Sequence, residues 1–266
     1  MKKRKDILVI DDEPVIIDAV NKICSIHNFN VAAAIDFISG MKLLDDYTFE
    51  IILCDVMLPD ISGIEFLEKI YSKNIESPVI MMTGYSTSEN AVKSLATGAI
   101  DFLPKPFTED ELLSTIYRAF QFAKIKKNMA KINDKSIDSQ IQYVSCPIGY
   151  YCLGYSTWQS KDADGTCLIG ITDLFLKTIN SPQNIELFSK DEEVAQGNTC
   201  AVIETNDGLK HNIYSPISGR ILETNILLVK NLSLIEKSPY SEGWFYRLIP
   251  SDLGYEMKYL IQSDFN

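Results

Sequence analysis

Three short stretches of the chain are apolar without interruption: 7–10 (ILVI), 51–54 (IILC) and 79–82 (VIMM). A strand with one face in water alternates apolar and polar side chains, so unbroken runs predict strands covered on both faces, as in parallel sheets. Segments with helical spacing of apolar residues separate them, near 14–27, 37–46, 62–73, 87–97 and 108–125, and weaker strands fit at 30–34 and 100–103. Regular alternation of strand and helix predicts an α/β fold, a doubly wound parallel five-stranded sheet whose site lies at the carboxyl ends of the strands.

Beyond residue 140 the pattern changes. Short alternating or β-branched runs are punctuated by turn residues at Asp162–Gly165, Gln196–Asn198, Asn206–Gly208 and Ser215–Gly219. Asp-Gly beside an apolar run is a strong hairpin signal. The spacing predicts strands near 154–160, 166–171, 199–204, 211–214, 219–223 and 243–249, with small helices near 173–179 and 225–235. Between the two patterns, residues from Glu109 to about Lys135 read as one helix with Leu112, Leu113, Ile116, Phe120 and Ala123 on one face. Its basic tail has two readings, a signalling helix that supports a homodimer or an ordinary last helix with lysines near its C-terminus. The apolar seam does not persist over several heptads, which favours the second. The expected division is a domain at 1–125, a helical and polar linker at 126–140 and a β-rich domain at 141–266.

Length agrees, since 266 residues correspond to about 1.8 domains of ordinary size. With 25 basic and 36 acidic residues the net charge is −11, shared by both halves. Neither half has the clustered cations that displace counterions from nucleic acid. No stretch approaches the roughly 20 apolar residues of a membrane span. The apolar run after the basic start is cut by Asp11, so it lacks the core of a signal peptide, and a cytoplasmic protein is expected. Six cysteines without a CxxC motif are expected to be packed, reduced thiols. Cys146 and Cys152, which flank Pro147–Tyr151, are a weak candidate for a redox pair, and His211 is expected to be a solvated strand residue. Trp158 and Trp244 are expected in the core.

The strand ends of the first half carry candidate chemistry. The first runs into Asp11, Asp12 and Glu13, the third into Asp55, the fourth into Thr83 and Gly84, and the fifth into Lys105 and Pro106. In a doubly wound sheet these ends converge. Three carboxylates sharing a crevice repel unless a hard cation such as Mg²⁺ neutralises them. A carboxylate beside such a cation, with a hydroxyl and an ammonium nearby, is equipped to take up a phosphoryl group.

The segments LVIDDE (8–13), ILCDVMLPDISG (52–63), MMTGYS (81–86) and GAIDFLPKPF (98–107) resemble the receiver domain of two-component response regulators, over residues 5 to about 125. The resemblance implies a flavodoxin-like receiver fold and makes Asp55 the phosphoacceptor. It implies that Asp11, Asp12, Asp55 and the backbone carbonyl of Met57 hold Mg²⁺. Thr83 would hydrogen-bond the phosphoryl oxygens, Lys105 would pair with them, Phe102 would be the aromatic switch, and the Lys105–Pro106 bond would be cis.

A second resemblance covers roughly 150–264. Tyr155–Trp158, GTCLIGITDLF (165–175), AVIETNDG (201–208), IYSPISGRILETN (213–225) and SPYSEGWFYRLIPSD (238–252) are similar to the glycine cleavage system H protein, a lipoyl-carrier barrel-sandwich fold. In that family one lysine at a hairpin tip bears lipoate, three residues after a Glu and eight before a Pro. Counting from Glu204 reaches Asp207, and counting back from Pro216 reaches Gly208. Neither is a lysine, and Lys210 is the hairpin's only one. The expectation is a response regulator, not itself an enzyme beyond its own phosphorylation and dephosphorylation. Its partners would be a sensor histidine kinase or phosphotransfer protein and an unidentified protein bound by a module without lipoate. The rival is a receiver-regulated carrier with lipoate on Lys210. A DNA-binding factor is disfavoured by the acidic second half.

Overall fold

The computed structural model describes residues 2–84, 88–130 and 143–263. The chain divides into two units, Met1–Asp134 and Lys135–Asn266.

The first unit alternates β1 (Lys3–Ile10), α1 (Pro14–Ile26), β2 (Val31–Ala34), α2 (Phe37–Asp46), β3 (Tyr47–Asp55), α3 (Gly63–Ser72), β4 (Val79–Thr83), α4 (Ser88–Thr97), β5 (Asp101–Pro104) and α5 (Glu109–Ala130). The sheet runs β2-β1-β3-β4-β5 and every pair is parallel. Ile7–Ile10, Ile51–Cys54 and Val79–Met82 are all fully buried, which is why these strands show no alternation. Local chemistry starts the helices. Asp36 accepts from Ser39 N at 2.7 Å, and Ser62 with Glu65 forms a capping box at α3. Thr108 and Glu111 exchange the same pair of bonds at α5, at 2.8 and 3.3 Å. These caps satisfy amides that a helix cannot bond internally. α5 buries Leu112, Leu113, Ile116, Ala119, Ala123 and Ile125, and Lys127 pairs with Glu50 of β3 at 2.6 Å. The polar linker reading for 131–140 lies outside the described residues.

The second unit holds β6 (Tyr151–Leu153), β7 (Thr157–Lys161), β8 (Cys167–Ile171), α6 (Asp173–Leu176), β9 (Pro182–Leu187), β10 (Glu193–Val194), β11 (Thr199–Thr205), β12 (Lys210–Tyr214), β13 (Gly219–Thr224), α7 (Leu227–Lys230), α8 (Leu234–Lys237), β14 (Trp244–Pro250), α9 (Leu253–Glu256) and β15 (Ile261–Gln262). A seven-stranded antiparallel sheet, β10-β13-β14-β8-β7-β6-β15, accompanies a three-stranded one, β12-β11-β9. Two buried side chains tie the sheets together. Tyr246 Oη on β14 donates to the Cys200 carbonyl on β11 at 2.6 Å, and Thr157 Oγ1 on β7 donates to the Tyr214 carbonyl on β12 at 3.0 Å. Trp158 is fully buried, and its indole N–H donates to the Ile171 carbonyl at 2.9 Å.

Several expectations need correction. The strand expected at 154–160 starts later, at Thr157 as β7, and a separate short strand, β6, precedes it, because Gly154 takes a left-handed φ of 56° and turns the chain between them. The helix expected at 225–235 is two short helices, α7 and α8. His211 is buried rather than solvated, with Nε2 3.2 Å from Thr205 Oγ1, because alternate residues of β12 face opposite sides and Lys210 takes the outer one. Trp244 is half-buried. β9 escapes the sequence pattern because it begins with Pro182 at a sheet edge and buries only Ile185. Among the described residues no helix is long and apolar enough to cross a membrane.

A β-carbon on Gly170 would lie 2.6 Å from the Trp158 ring. Gly170→Ala is therefore expected to lower the stability of the second unit by about 1–3 kcal/mol, the usual range for overpacking, while Cys54 and Met81 of the first keep their hydrogen-exchange protection. Equal loss of protection in both units would contradict this.

Candidate functional site

The strand order reverses between β1 and β3, and the carboxyl ends of β1, β3, β4 and β5 meet beside that point. Asp11 and Asp12 follow β1, Asp55 ends β3, Thr83 ends β4 and Lys105 follows β5. One carboxylate oxygen each from Asp11, Asp12 and Asp55 lies within 4.8 Å of the others. Asp11 and Asp55 are buried and Asp12 is exposed.

Lys105 reaches into this cluster. Its Nζ is 2.6 Å from Asp11 Oδ2, 2.6 Å from Asp55 Oδ2 and 3.0 Å from Glu13 Oε1. Burial works against the ammonium, but hydrogen bonds to Asp11, Asp55 and Glu13 outweigh it and hold the Lys105 pKa above the ordinary lysine value. Burial pushes the Asp11 carboxyl up, against the lowering effects of Lys105 and of the Glu13 N–H, which donates to Oδ1 at 3.0 Å. Asp11 Oδ2 is buried and faces Lys105 Nζ at 2.6 Å. Four carboxyl groups surround one ammonium, so the crevice holds more acid than base. A hard divalent cation taking oxygen ligands fits that donor set.

Backbone contacts fix the remaining parts. The Met57 N–H donates to Asp55 Oδ1 at 3.0 Å. The Lys105 N–H donates to the Thr83 carbonyl at 2.7 Å, joining the ends of β4 and β5, and the Lys105–Pro106 peptide is cis. Thr83 is buried, and Gly84 has open space where a β-carbon would project. Phe102 is buried on β5 opposite Met81.

Two supports were not singled out from sequence. Gly63 begins α3 so close to β3 that a β-carbon there would lie 2.1 Å from the Asp55 carbonyl and 2.6 Å from Met81 Cε, so only glycine lets the helix start beneath the site. Asp101 and Arg118 form a buried pair behind Phe102, with Nε donating to Oδ2 at 2.9 Å. Asp101 Oδ1 accepts the Phe102 N–H at 2.9 Å. An acid inside β5 and an arginine within the seam of α5 are the traces this pair leaves in the sequence.

In the second unit the β11–β12 hairpin closes through Asn206, Asp207 and Gly208. Gly208 has φ +82°, a conformation that side chains other than glycine adopt only with strain. The Asp207 carboxylate is occupied, accepting from Asn180 Nδ2 at 2.7 Å and from Thr205 Oγ1. Lys210 lies opposite Glu204, with Nζ 3.2 Å from Glu186 on β9.

A doubly wound sheet with an acid cluster and a lysine at its switch point is joined in this chain to an antiparallel β module. Residues 7–117 match the response regulator receiver domain family and residues 150–264 match the glycine cleavage H-protein family, so the chain contains one domain of each. The regulatory protein AtoC of Escherichia coli K12 is 32% identical over 127 residues, 48% of this chain and 28% of that protein. A transcriptional regulatory protein DltR of Streptococcus agalactiae is 31% identical over 129 residues, 48% of this chain and 58% of that protein. The chain thus spans less than two thirds of these relatives. A solved CheY-like receiver domain protein from Methanospirillum hungatei is 32% identical, covering 47% of this chain and 99% of its own, with a TM-score of 0.43. The receiver domain of NtrX from Brucella abortus is 34% identical, covering 44% and 98%, with a TM-score of 0.42.

Asp11 has a folded pKa raised above its ordinary 3.8. Its contribution to stability is present below the unfolded value and is lost as pH rises through the folded value. Asp11→Asn removes that cost while Lys105 keeps Asp55 and Glu13. At pH 7 without divalent cations the variant is expected to be more stable by about 1 kcal/mol, and to lose most of the added stability that Mg²⁺ gives the parent. Thermal unfolding with and without Mg²⁺ reads both, and a less stable variant would count against the electrostatic account.

Proposed function

We propose that the chain is a two-component response regulator whose H-protein-like domain is its output module. The buried Asp55 carboxylate, held by Lys105 at 2.6 Å beside Asp11 and Asp12, carries the proposal. Asp55 attacks the phosphorus of a phosphohistidine on a sensor kinase or phosphotransfer protein, the phosphorus–nitrogen bond breaks, and an acyl phosphate forms on Asp55. Mg²⁺ held by Asp11, Asp12, Asp55 and the Met57 carbonyl would offset the charge of the phosphoryl oxygens and the carboxylates. Lys105 pairs with a phosphoryl oxygen and the Thr83 hydroxyl donates to another. Movement of Thr83 toward the new group repacks the face that contains Phe102. The protein acts as a cytoplasmic signalling protein without a metabolic reaction of its own, and its acidic surface gives nucleic acid no cationic footprint.

The output module is proposed to bind a protein without carrying lipoate. Asp207 is engaged in closing the hairpin and Gly208 has φ +82°, so the tip offers no amine for acylation. The metabolic alternative rests on one observation: Lys210 is 58% exposed and chemically reachable, displaced from the tip.

Full-length protein incubated with Mg²⁺ and acetyl phosphate is expected to gain the mass of one phosphoryl group on Asp55, and Asp55→Asn to gain none. An unchanged mass in folded protein would defeat the proposal. Coexpression with a lipoate ligase is expected to leave the intact mass unaltered, and a lipoyl adduct on Lys210 would establish the carrier alternative.

A further inference from the structure

We propose that the cleft between α2 and α3 of the first domain binds a nucleoside phosphate, at a site separate from the phosphoacceptor crevice. The cleft has a volume of about 370 Å³, within the roughly 300–1,000 Å³ of small-molecule sites. One wall is a single face of α2, on which Phe37, Met41 and Asp45 recur one turn apart. The other is the end of α3, where Lys69 and Lys73 are likewise one turn apart. The cleft shares no lining residue with the acid cluster around Lys105.

Charge is sorted across these two helices. With Lys73 at the end of α3, they carry three lysines, Lys42, Lys69 and Lys73, and four acids, Asp45, Asp46, Glu65 and Glu68. All three lysines line the cleft, and of the acids Asp45 alone does so. Among the described residues none of these three ammoniums is ion-paired, whereas Lys93 on α4 pairs with Glu89. In a chain of net charge −11, three such cations facing one concavity make a local field suited to a multiply charged anion. The carboxyl end of a helix favours lysines by itself, which accounts for Lys69 and Lys73. It does not account for Lys42, which lies in the middle of α2 and joins them from the opposite wall.

The rest of the lining selects an anion with an aromatic body. Phe37, Ile38 and Met41 supply apolar surface, and Lys69 Nζ lies 4.5 Å from the centre of the Phe37 ring, so cation and aromatic face adjoin. The lysine ammoniums donate charge-assisted hydrogen bonds to phosphate oxygens. Asp45 can accept from a hydroxyl or an amino group. A phosphate, a sugar with hydroxyl groups and a planar base meet these three demands in one molecule. The α2 wall is held in place. Asp60 accepts the Phe37 N–H at 3.1 Å and the Ile38 N–H at 3.4 Å, and the Phe37 ring packs edge-on against the buried Phe66 with centroids 5.8 Å apart. Fixed walls lower the ordering cost of binding.

Full-length protein titrated with ADP at low salt in the presence of EDTA tests the proposal, since chelation removes any divalent cation that could hold a phosphate at the acid cluster. Saturable binding is expected, weakening as salt is raised, with adenosine and inorganic phosphate each bound at least about tenfold more weakly. Amide resonances of α2 and the end of α3 should shift on titration, while those of Asp11, Asp55 and Lys105 stay in place. Lys42→Ala, Lys69→Ala and Lys73→Ala are each expected to weaken binding by about tenfold, the size of one lost charge-assisted contact. Lys93→Ala should bind as the parent does, with circular dichroism confirming the fold of each variant. Absence of saturable binding up to millimolar ADP, inorganic phosphate bound as tightly as ADP, shifts centred on the acid cluster, or lysine variants that bind no worse than Lys93→Ala would overturn it.

Discussion

The ammonium of Lys105 is the interaction on which the first domain's site depends. Asp11, Asp55 and Glu13 all converge on it, and Asp12 lies beside them. Parallel strands bring this about, because side-by-side strands running the same way end on the same side, and each of these ends carries an acid, a hydroxyl or the lysine. Burying such carboxylates is unfavourable unless they meet positive charge. One lysine compensates only part of the charge. The incompletely balanced remainder is the feature on which the proposed binding of a hard cation and a phosphoryl group rests.

Around that centre the structure places rigid parts where small movements would be costly. α3 abuts the Asp55 carbonyl so closely that Gly63 has no room for a side chain. The ends of β4 and β5 are joined through Lys105 and Thr83. Behind them the Asp101–Arg118 pair is buried and holds the amide of Phe102 through Asp101. Burial raises the Asp101 carboxyl and the guanidinium lowers it, so removing either partner alone would strand a charge. Thr83 and Phe102 therefore both sit on paired, packed strands.

Much of this was legible in the sequence for a physical reason. Unbroken apolar runs at 7–10, 51–54 and 79–82 can be satisfied only by strands covered on both faces, and the order of acid, hydroxyl and lysine follows from where those strands end. Gly63 and the Asp101–Arg118 pair were not legible, because a glycine's need for space and an arginine's partner are set by tertiary contact. The second domain was harder. Its longer strands carry alternation, but β10 and β15 are two residues each, too short for any period, and β9 begins with a proline. His211 shows the limit at a single position. Its neighbour Lys210 suggested a solvated strand, yet the pleat sends the two to opposite sides, and only the register with β11 decides which is inside.

The β domain also separates what a fold requires from what a site requires. The two sheets are joined by Tyr246 and Thr157, and the core is filled by Trp158, Phe245 and Ile203. None of these contacts involves the tip of the β11–β12 hairpin. Selection on the fold therefore leaves the tip free to change, and here it closes on Gly208 with its left-handed backbone and on an Asp207 whose carboxylate is committed to Asn180 and Thr205. A carrier's tip must do the opposite, presenting a long, unattached amine to solvent. Lys210 sits on the paired strand beside Glu204 and Glu186, where an arm would start from the sheet rather than from the end of a hairpin. The sheets that match the H-protein family are present while the tip holds Asp207 and Gly208 in place of a lysine, and the proposed binding role rests on that difference.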